Sequence, residues 1–126
     1  MLNPGVTLRD VYQARRRIAG LAVRTPLISC SWLTERLGVD VQLKLENVQR
    51  SGAFKIRGAA NKLQTLTREE RERGVITVSS GNHGRAVADV ARALGIRAVV
   101  CMSTRVPSNK IEGIRRLGAD VVLQGG

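Results

Sequence analysis

The chain alternates between two periods of apolar residues, which predict strands and helices in turn. In its second half the apolar runs VITVSS, RAVVCM and DVVLQ are typical of short buried strands. The stretches between them, GNHGRAVADVARALG and PSNKIEGIRRLG, carry apolar residues at helical spacing. Strands separated by helices of this length indicate a parallel sheet with helices on both faces. The predicted fold class is therefore α/β.

Two capping patterns predict helix starts in the first half. Thr7 with Asp10, and Thr67 with Glu70, each place a hydroxyl residue three positions before an acid, as in a capping box. The first pattern starts an amphipathic helix that Gly20 ends, and the second starts a short polar helix.

Between these caps the pattern predicts a short helix, a strand and a longer helix. SWLTERLG is the short helix, with Trp32 in the core, VQLKLE is the strand, and residues 56–66 form the longer helix. We divide the single domain into N-terminal helices and a turn, residues 1–40, and β/α units, residues 41–126.

Composition limits the core and the cellular compartment. The chain is 43% hydrophobic but has one Trp, one Tyr and one Phe, so the predicted core is aliphatic. The sequence shows neither an apolar span of ~20 residues nor the apolar stretch of a signal peptide, so we expect a cytoplasmic protein without a membrane contact. Cys30 and Cys101 lie far apart without clustered histidines, and we expect two buried small side chains and no metal site.

The net charge of +11 raises the question of a nucleic-acid partner. The arginines are scattered over several segments, mostly on the predicted solvent faces of helices. A single-strand binder also needs aromatic side chains on which bases stack, and three aromatic residues are too few. We expect no nucleic-acid partner, although a basic nucleic-acid binder stays an alternative.

The stretch SGAFKIRGA places Lys55 at the predicted start of a helix, between two glycines. A cation is disfavoured at a helix N-terminus, and the neutral amine is the form that attacks a carbonyl to make a Schiff base. The glycines leave room for a planar cofactor close to the backbone. A lysine whose stem packs on its neighbours is the structural alternative.

A second stretch, SSGNHG at residues 79–84, joins a predicted strand to a predicted helix. Small residues there let backbone N–H groups approach a carboxylate or phosphate, while Asn82 and His83 can each donate or accept a hydrogen bond. An ordinary strand-to-helix turn with Asn82 as N-cap explains the same residues. A non-catalytic α/β module that binds anions is therefore a further alternative.

KLENVQRSGAFKIRGA followed by SSGNHGRAVA resembles the pyridoxal-phosphate enzymes of the threonine dehydratase and serine racemase group, known as fold type II. The patterns at residues 106–110 and 117–122 resemble the same family, whose fold is that of the tryptophan synthase β chain. CMSTRVP with GNHGRAVA is similar to hydroxyectoine-utilization dehydratases, a catabolic branch of this group.

The resemblance implies a role for each motif residue. Lys55 would form a Schiff base with pyridoxal phosphate and later take the substrate's Cα proton, and Phe54 would pack beside it. Asn82 would bind the hydroxyl of the cofactor ring. The loop that grips the substrate carboxylate would consist of Ser79, Ser80, Gly81, Asn82 and His83.

The same resemblance implies a lyase that converts L-threonine or L-serine to a 2-oxo acid and ammonia. Ser80 stands where serine racemases carry Ser and threonine dehydratases commonly carry Ala, so racemisation is the alternative reaction, with the Ser80 hydroxyl acting on the face opposite Lys55. Ala53 departs from the Ser of many relatives. Family members are much longer, so we expect a fragment that lacks the phosphate-binding loop, is inactive alone and is homo-oligomeric when full length.

Overall fold

The computed structural model describes residues 5–125, which form two small sheets and the helices around them. The helices are α1 (Leu8–Arg17), α2 (Ser31–Leu37), α3 (Lys55–Gln64), α4 (Arg68–Arg73), α5 (Asn82–Leu94) and α6 (Ser108–Arg116). The strands are β1 (Leu27–Ser29), β2 (Gln42–Lys44), β3 (Val75–Val78), β4 (Ala98–Met102) and β5 (Asp120–Leu123), and a 3₁₀ turn covers Glu46–Val48.

The predicted parallel sheet contains β3, β4 and β5 in that order. β1 and β2 form a separate antiparallel pair, which spans the boundary that we place at residue 40. Each crossover in the parallel sheet advances by one strand in the same direction, so the right-handed rule places α5 and α6 on the same face. These two helices contact each other, and the α/β class is confirmed.

Both predicted capping boxes form. The Thr7 hydroxyl accepts from the Asp10 amide while the Asp10 carboxylate accepts from the Thr7 amide, and Thr67 and Glu70 repeat the arrangement at α4. Such reciprocal bonds satisfy N–H groups that a helix start otherwise leaves free. These two starts are therefore determined by a few neighbouring residues.

The core is aliphatic, as composition predicts. It is built from α3, α5, α6 and β4, and its most deeply buried large side chains are Ile56, Val90 and Val100. The prediction that Trp32 belongs to this core is wrong, because the side chain is 64% exposed and lies beside Arg36 on α2. Tyr12 and Phe54 are exposed as well. Cys30 and Cys101 are half-buried and form no disulfide.

The parallel sheet is covered by helices on one face within residues 5–125. Alternation along the strands places Ala98, Val100 and Met102 of β4 toward the helices, where they are buried. The opposite face carries Ile76 and Val78 of the edge strand β3, which are 71% and 81% exposed. The prediction of helices on both faces of the sheet is therefore wrong for residues 5–125, and β3 is not buried on both sides.

A membrane crossing needs a long apolar helix. No helix in the described part of the chain has the length and apolar character to span a bilayer.

Candidate active site

The loop that leads into Lys55 is tied to the N-terminal segment by a group of charged and polar side chains. Arg57 donates to both carboxylate oxygens of Glu46, at 2.9 and 2.7 Å, and the Thr25 hydroxyl donates to the same carboxylate at 2.5 Å. Such paired Arg–carboxylate bonds fix both distance and orientation. The Arg57 hydrogen bonds hold the pKa of Glu46 down at about 2, although burial opposes that shift.

Gln49 provides a second tie between the same segments. Its amide accepts from the Val23 N–H at 3.0 Å and donates to the Val23 carbonyl at 2.6 Å, in the manner of a short β-ladder. Gly52 then turns the chain with φ of +73°, a conformation that other residues rarely adopt. The Ser51 hydroxyl donates to the Ala53 carbonyl inside the turn. The start of α3 is therefore held by contacts of the loop before it and by Arg57 in its first turn.

Lys55 is the first residue of α3 and its side chain is exposed. The ammonium lies 4.6 Å from the ring centre of Phe54, which precedes it. Among the described residues no acceptor or carboxylate contacts its Nζ within hydrogen-bond or ion-pair distance. The amine is thus available for reaction, with its position set by the loop.

The SSGNHG loop turns directly from β3 into α5. Gly81 is the N-cap and Asn82 the first helical residue, so the alternative in which Asn82 caps the helix is excluded. A Cβ at Gly84 would lie 2.8 Å from the Ser79 carbonyl oxygen and 3.0 Å from Val100. Glycine is therefore required there for the first turn of α5 to pack against the strands.

The N–H groups at the start of α5 have no side-chain cap, in contrast to α1 and α4. The Gly81 amide donates to the Ser79 hydroxyl at 3.3 Å, a long bond. Uncapped N–H groups at a helix start, with the positive end of the helix dipole, suit a carboxylate or phosphate.

The predicted site residues line two cavities. The larger, about 440 Å³, lies between α3, the free edge of β3 and α5, and Phe54, Lys55, Gly58 and His83 line it. The smaller, about 290 Å³, is lined by Ser80, Gly81 and Asn82 together with residues of α6. Lys55 and His83 therefore share a cavity, whereas Ser80, Gly81 and Asn82 line another. Ser79 is half-buried, and its amide donates to the Cys101 carbonyl.

The larger cavity fits a ring-shaped cofactor with an aldehyde. Its volume lies within the range of about 300–1,000 Å³ that small-molecule sites occupy. Its lining is mostly apolar, and the polar side chains besides Lys55 are Arg57, Lys62, Thr77 and His83. The Lys55 amine at the start of α3 is unpaired within residues 5–125, and an unpaired lysine amine that lines a largely apolar cavity suits Schiff-base chemistry.

The site combines an α/β fold, an unpaired amine at one helix start and an uncapped turn at another, which are features suited to a cofactor aldehyde and an anion. The model of the family "Pyridoxal-phosphate dependent enzyme" matches residues 18–126, and the chain belongs to that family.

Curated relatives carry threonine-related names. The chain is 49% identical over 120 residues to "Putative threonine dehydratase" of Sinorhizobium fredii, covering 95% of this chain and 36% of that protein. It is 45% identical to "L-threonine ammonia-lyase" of Thermotoga maritima, with 95% and 30% covered. Serine racemase from Dictyostelium discoideum superposes with a TM-score of 0.91 at 36% identity, covering 96% of this chain and 39% of that one. The chain thus spans about a third of the length of these proteins.

Sequence reasoning did not assign the residues that hold the lysine loop. The motif that carries the resemblance contains Glu46, Gln49 and Arg57. The sequence signal for their contacts was the opposite charges of Glu46 and Arg57 and the side-chain amide of Gln49. Asp89 lies among the buried apolar residues of α5, and no local sequence pattern relates it to Arg50.

Proposed function

We propose that the chain is the lysine-bearing part of a pyridoxal-phosphate-dependent lyase acting on a small hydroxy amino acid such as L-threonine or L-serine. The net reaction yields a 2-oxo acid and ammonia, and the water lost in elimination is returned in hydrolysis. The observation that carries the proposal is the unpaired amine of Lys55, which lines a largely apolar cavity and follows a loop held by the Glu46–Arg57 pair.

Each motif residue has a task in this reaction. When bound, pyridoxal phosphate supplies an aldehyde for attachment and an electron sink for the substrate's Cα. Lys55 binds the cofactor through Nζ, and the same Nζ, once free, accepts the Cα proton. Phe54 packs beside the ring. Asn82 is assigned the ring hydroxyl, and because it lines the smaller cavity this contact requires the ring to extend from Lys55 toward the turn that begins α5.

The substrate carboxylate is bound by the turn from β3 to α5. The N–H groups of Ser80, Gly81, Asn82 and His83 are candidates for this contact, and the uncapped start of α5 supports it. The Ser79 N–H already donates to the Cys101 carbonyl, so Ser79 is a candidate through its hydroxyl. Because these groups belong to the backbone and a rigid helix start, they orient the Cα–H bond without a reorganisation cost. We expect other parts of the full-length protein to form the remaining wall of the site and to bind the cofactor phosphate. We also expect the full-length protein to be a homo-oligomer.

Racemisation is the second candidate, supported by the relatedness to serine racemase and by the presence of Ser80. It needs an acid opposite Lys55, and a serine hydroxyl is a weak acid without an activating neighbour. Ser80 is exposed, and its hydroxyl makes no hydrogen bond within residues 5–125. This environment favours dehydration as the net reaction.

One experiment tests both reactions in the full-length protein that contains these residues. With L-threonine and L-serine as substrates, 2-oxo acid and D-amino acid are followed together in the native protein, Lys55→Ala, Ser80→Ala and the control Lys62→Ala, since Lys62 lines the same cavity farther along α3. We expect 2-oxo acid to be the main product, with turnover and borohydride-stable cofactor label lost in Lys55→Ala alone.

The assignment of Lys55 is wrong if Lys55→Ala turns over substrate at more than about a thousandth of the native rate. Racemase is the better assignment if D-serine forms faster than pyruvate and Ser80→Ala removes only D-serine.

A further inference from the structure

Asp89 is a carboxylate buried in the middle of α5. Its side chain is 7% exposed, while Ala86, Val87 and Val90 around it belong to the aliphatic core. Aspartate is a poor residue for a helix interior, and a buried carboxylate is costly unless it is paired. Helix propensity and burial both disfavour Asp89 at this position, so its charged partners must compensate.

Two arginines contact Asp89 through the same oxygen. Arg92 Nη2 lies 3.5 Å from Oδ1 and Arg50 Nη2 lies 3.3 Å from it, whereas Oδ2 is buried without a hydrogen-bond partner in the described residues. Arg92 is on the same helix, three residues farther along, so its contact cannot fix α5 relative to another element. Arg50 can, because it belongs to a different segment of the chain.

Arg50 lies in the loop that leads into Lys55, five residues before it. The other long-range side-chain ties of this region join it to the N-terminal segment, through Gln49 to Val23 and through Glu46 to Thr25. Within residues 5–125 the Arg50–Asp89 pair is the side-chain hydrogen bond that joins residues 46–54 to α5. The start of that same helix carries Asn82 and His83.

We propose that Asp89 is a positioning residue that, through Arg50, fixes the lysine loop against the helix that carries Asn82 and His83. The inference rests on the function proposed for Lys55 and adds how its amine is kept in register with the anion-binding turn. Apolar packing between α3 and α5 is not directional and tolerates small sliding movements, whereas an ion pair at one point removes that freedom. The cost of burying Asp89 is thereby linked to the geometry of the site.

The first test needs no cofactor. In the protein as its gene encodes it, amide hydrogen exchange of a peptide covering residues 49–54 is compared between native, Asp89→Asn, Arg50→Met, the double variant and Arg92→Met. We expect at least tenfold faster exchange in both single variants, no further increase in the double variant, and less than a twofold change in Arg92→Met. Exchange in β4 reports on global unfolding and should stay unchanged. If Asp89→Asn fails to fold, the exchange rate in Arg50→Met alone decides whether the pair holds the loop.

The second test asks whether the loop movement reaches the amine. The protein is treated with pyridoxal phosphate and borohydride, and the ratio of label on Lys55 to label on Lys62 is measured by peptide mapping. The ratio should fall at least threefold in Asp89→Asn and Arg50→Met, and Arg50→Lys should retain it within twofold. A general loss of stability would change both lysines of α3 together and leave the ratio unaltered.

Three results would overturn the inference: unchanged exchange or an unchanged label ratio in the single variants, an additive double variant, or an equal effect in Arg92→Met. The proposed function fails separately, if the native protein labels Lys55 no better than Lys62. In that case the exchange measurements still decide whether Asp89 fixes the loop.

Discussion

Lys55 can stand at the start of a helix because oppositely charged neighbours hold the chain around it. Glu46 and Arg57 bind each other through two hydrogen bonds, and Thr25 shares the carboxylate. The ion pair is partly buried, with Glu46 18% exposed, so that solvent screens it less than a surface pair. Because these contacts hold the loop, its position does not depend on an ion pair of the Lys55 amine.

The Glu46 contact makes stability depend on acid pH. Its pKa is lowered from 4.5 to about 2 in the folded protein, so its contribution is present above pH 4.5 and lost as pH falls from there toward 2. We expect Glu46→Gln to lower the free energy of unfolding at pH 7 by about 1–2 kcal/mol, reduced from the full shift because the pair is partly exposed.

Urea unfolding of native protein and Glu46→Gln between pH 7 and pH 2 measures this difference. It should shrink toward zero at the acid end, while Glu72→Gln, which breaks an exposed pair on α4, should leave the shape of the native pH profile unchanged. A Glu46→Gln difference that stays constant with pH would contradict the assignment.

At the scale of elements, α3 and α5 pack against each other and both line the larger cavity. α3 buries Ile56, Ala59, Ala60 and Leu63, and the small alanines let α5 approach closely. Gly58 stands in the interior of α3, where glycine is unfavourable, and a Cβ added there would meet nothing within 4 Å. Packing therefore does not demand this glycine, but the cavity that it lines gains space from it.

Gly58→Ala should separate stability from cofactor binding. We expect unfolding free energy to rise by about 0.5–1 kcal/mol, since alanine is the better helix former, while the added methyl group narrows the cavity and weakens pyridoxal phosphate binding several-fold. Thermal unfolding and cofactor titration by absorbance measure the two effects.

Gly113→Ala is the control for the stability effect, because Gly113 is also in a helix interior with open space around an added Cβ. It lines the smaller cavity with Asn82, so the control for cofactor affinity is Glu35→Ala in α2, which lines neither cavity and should leave that affinity unchanged. Unchanged or stronger cofactor binding in Gly58→Ala would contradict the assignment of the larger cavity as the cofactor site.

For the whole molecule, the notable feature is an apolar surface on one side of the sheet. Register pairs Ile76 with Val99 and Val78 with Cys101, and Cys101 in turn with Val122, so these five side chains share the face that no described helix covers. β3 is also an unpaired edge strand. Apolar faces and free edges of this kind promote association unless another segment or chain covers them.

The 126-residue chain on its own should therefore bind a hydrophobic dye and self-associate. It should also bind pyridoxal phosphate weakly and without turnover, because we expect the phosphate-binding loop to lie in another part of the full-length protein. Val78→Lys should reduce dye binding and association, whereas Val48→Lys, another exposed valine outside the sheet, should not. Fluorescence of anilinonaphthalene sulfonate and sedimentation velocity measure both properties. Equal effects of the two substitutions, or dehydratase activity of this chain alone, would contradict the expectation.

The sequence by itself determined the capped helix starts, the positions of β2 to β5, the aliphatic core and the motif that contains Lys55, whereas β1, which the sequence predicts as an extended turn, became a strand through its pairing with β2. Those features depend on residues close in the chain: Thr7 and Asp10 are one turn apart, and the buried stripe of α3 follows from helical period alone. Only the tertiary structure decided that Trp32 lies at the surface, that Ile76 and Val78 face away from the helices, and that Lys55 and Ser80 line different cavities. Each of these outcomes depends on which distant segments pack together. Arg50 and Asp89 are 39 residues apart in the sequence, and no local pattern signals a contact at that separation.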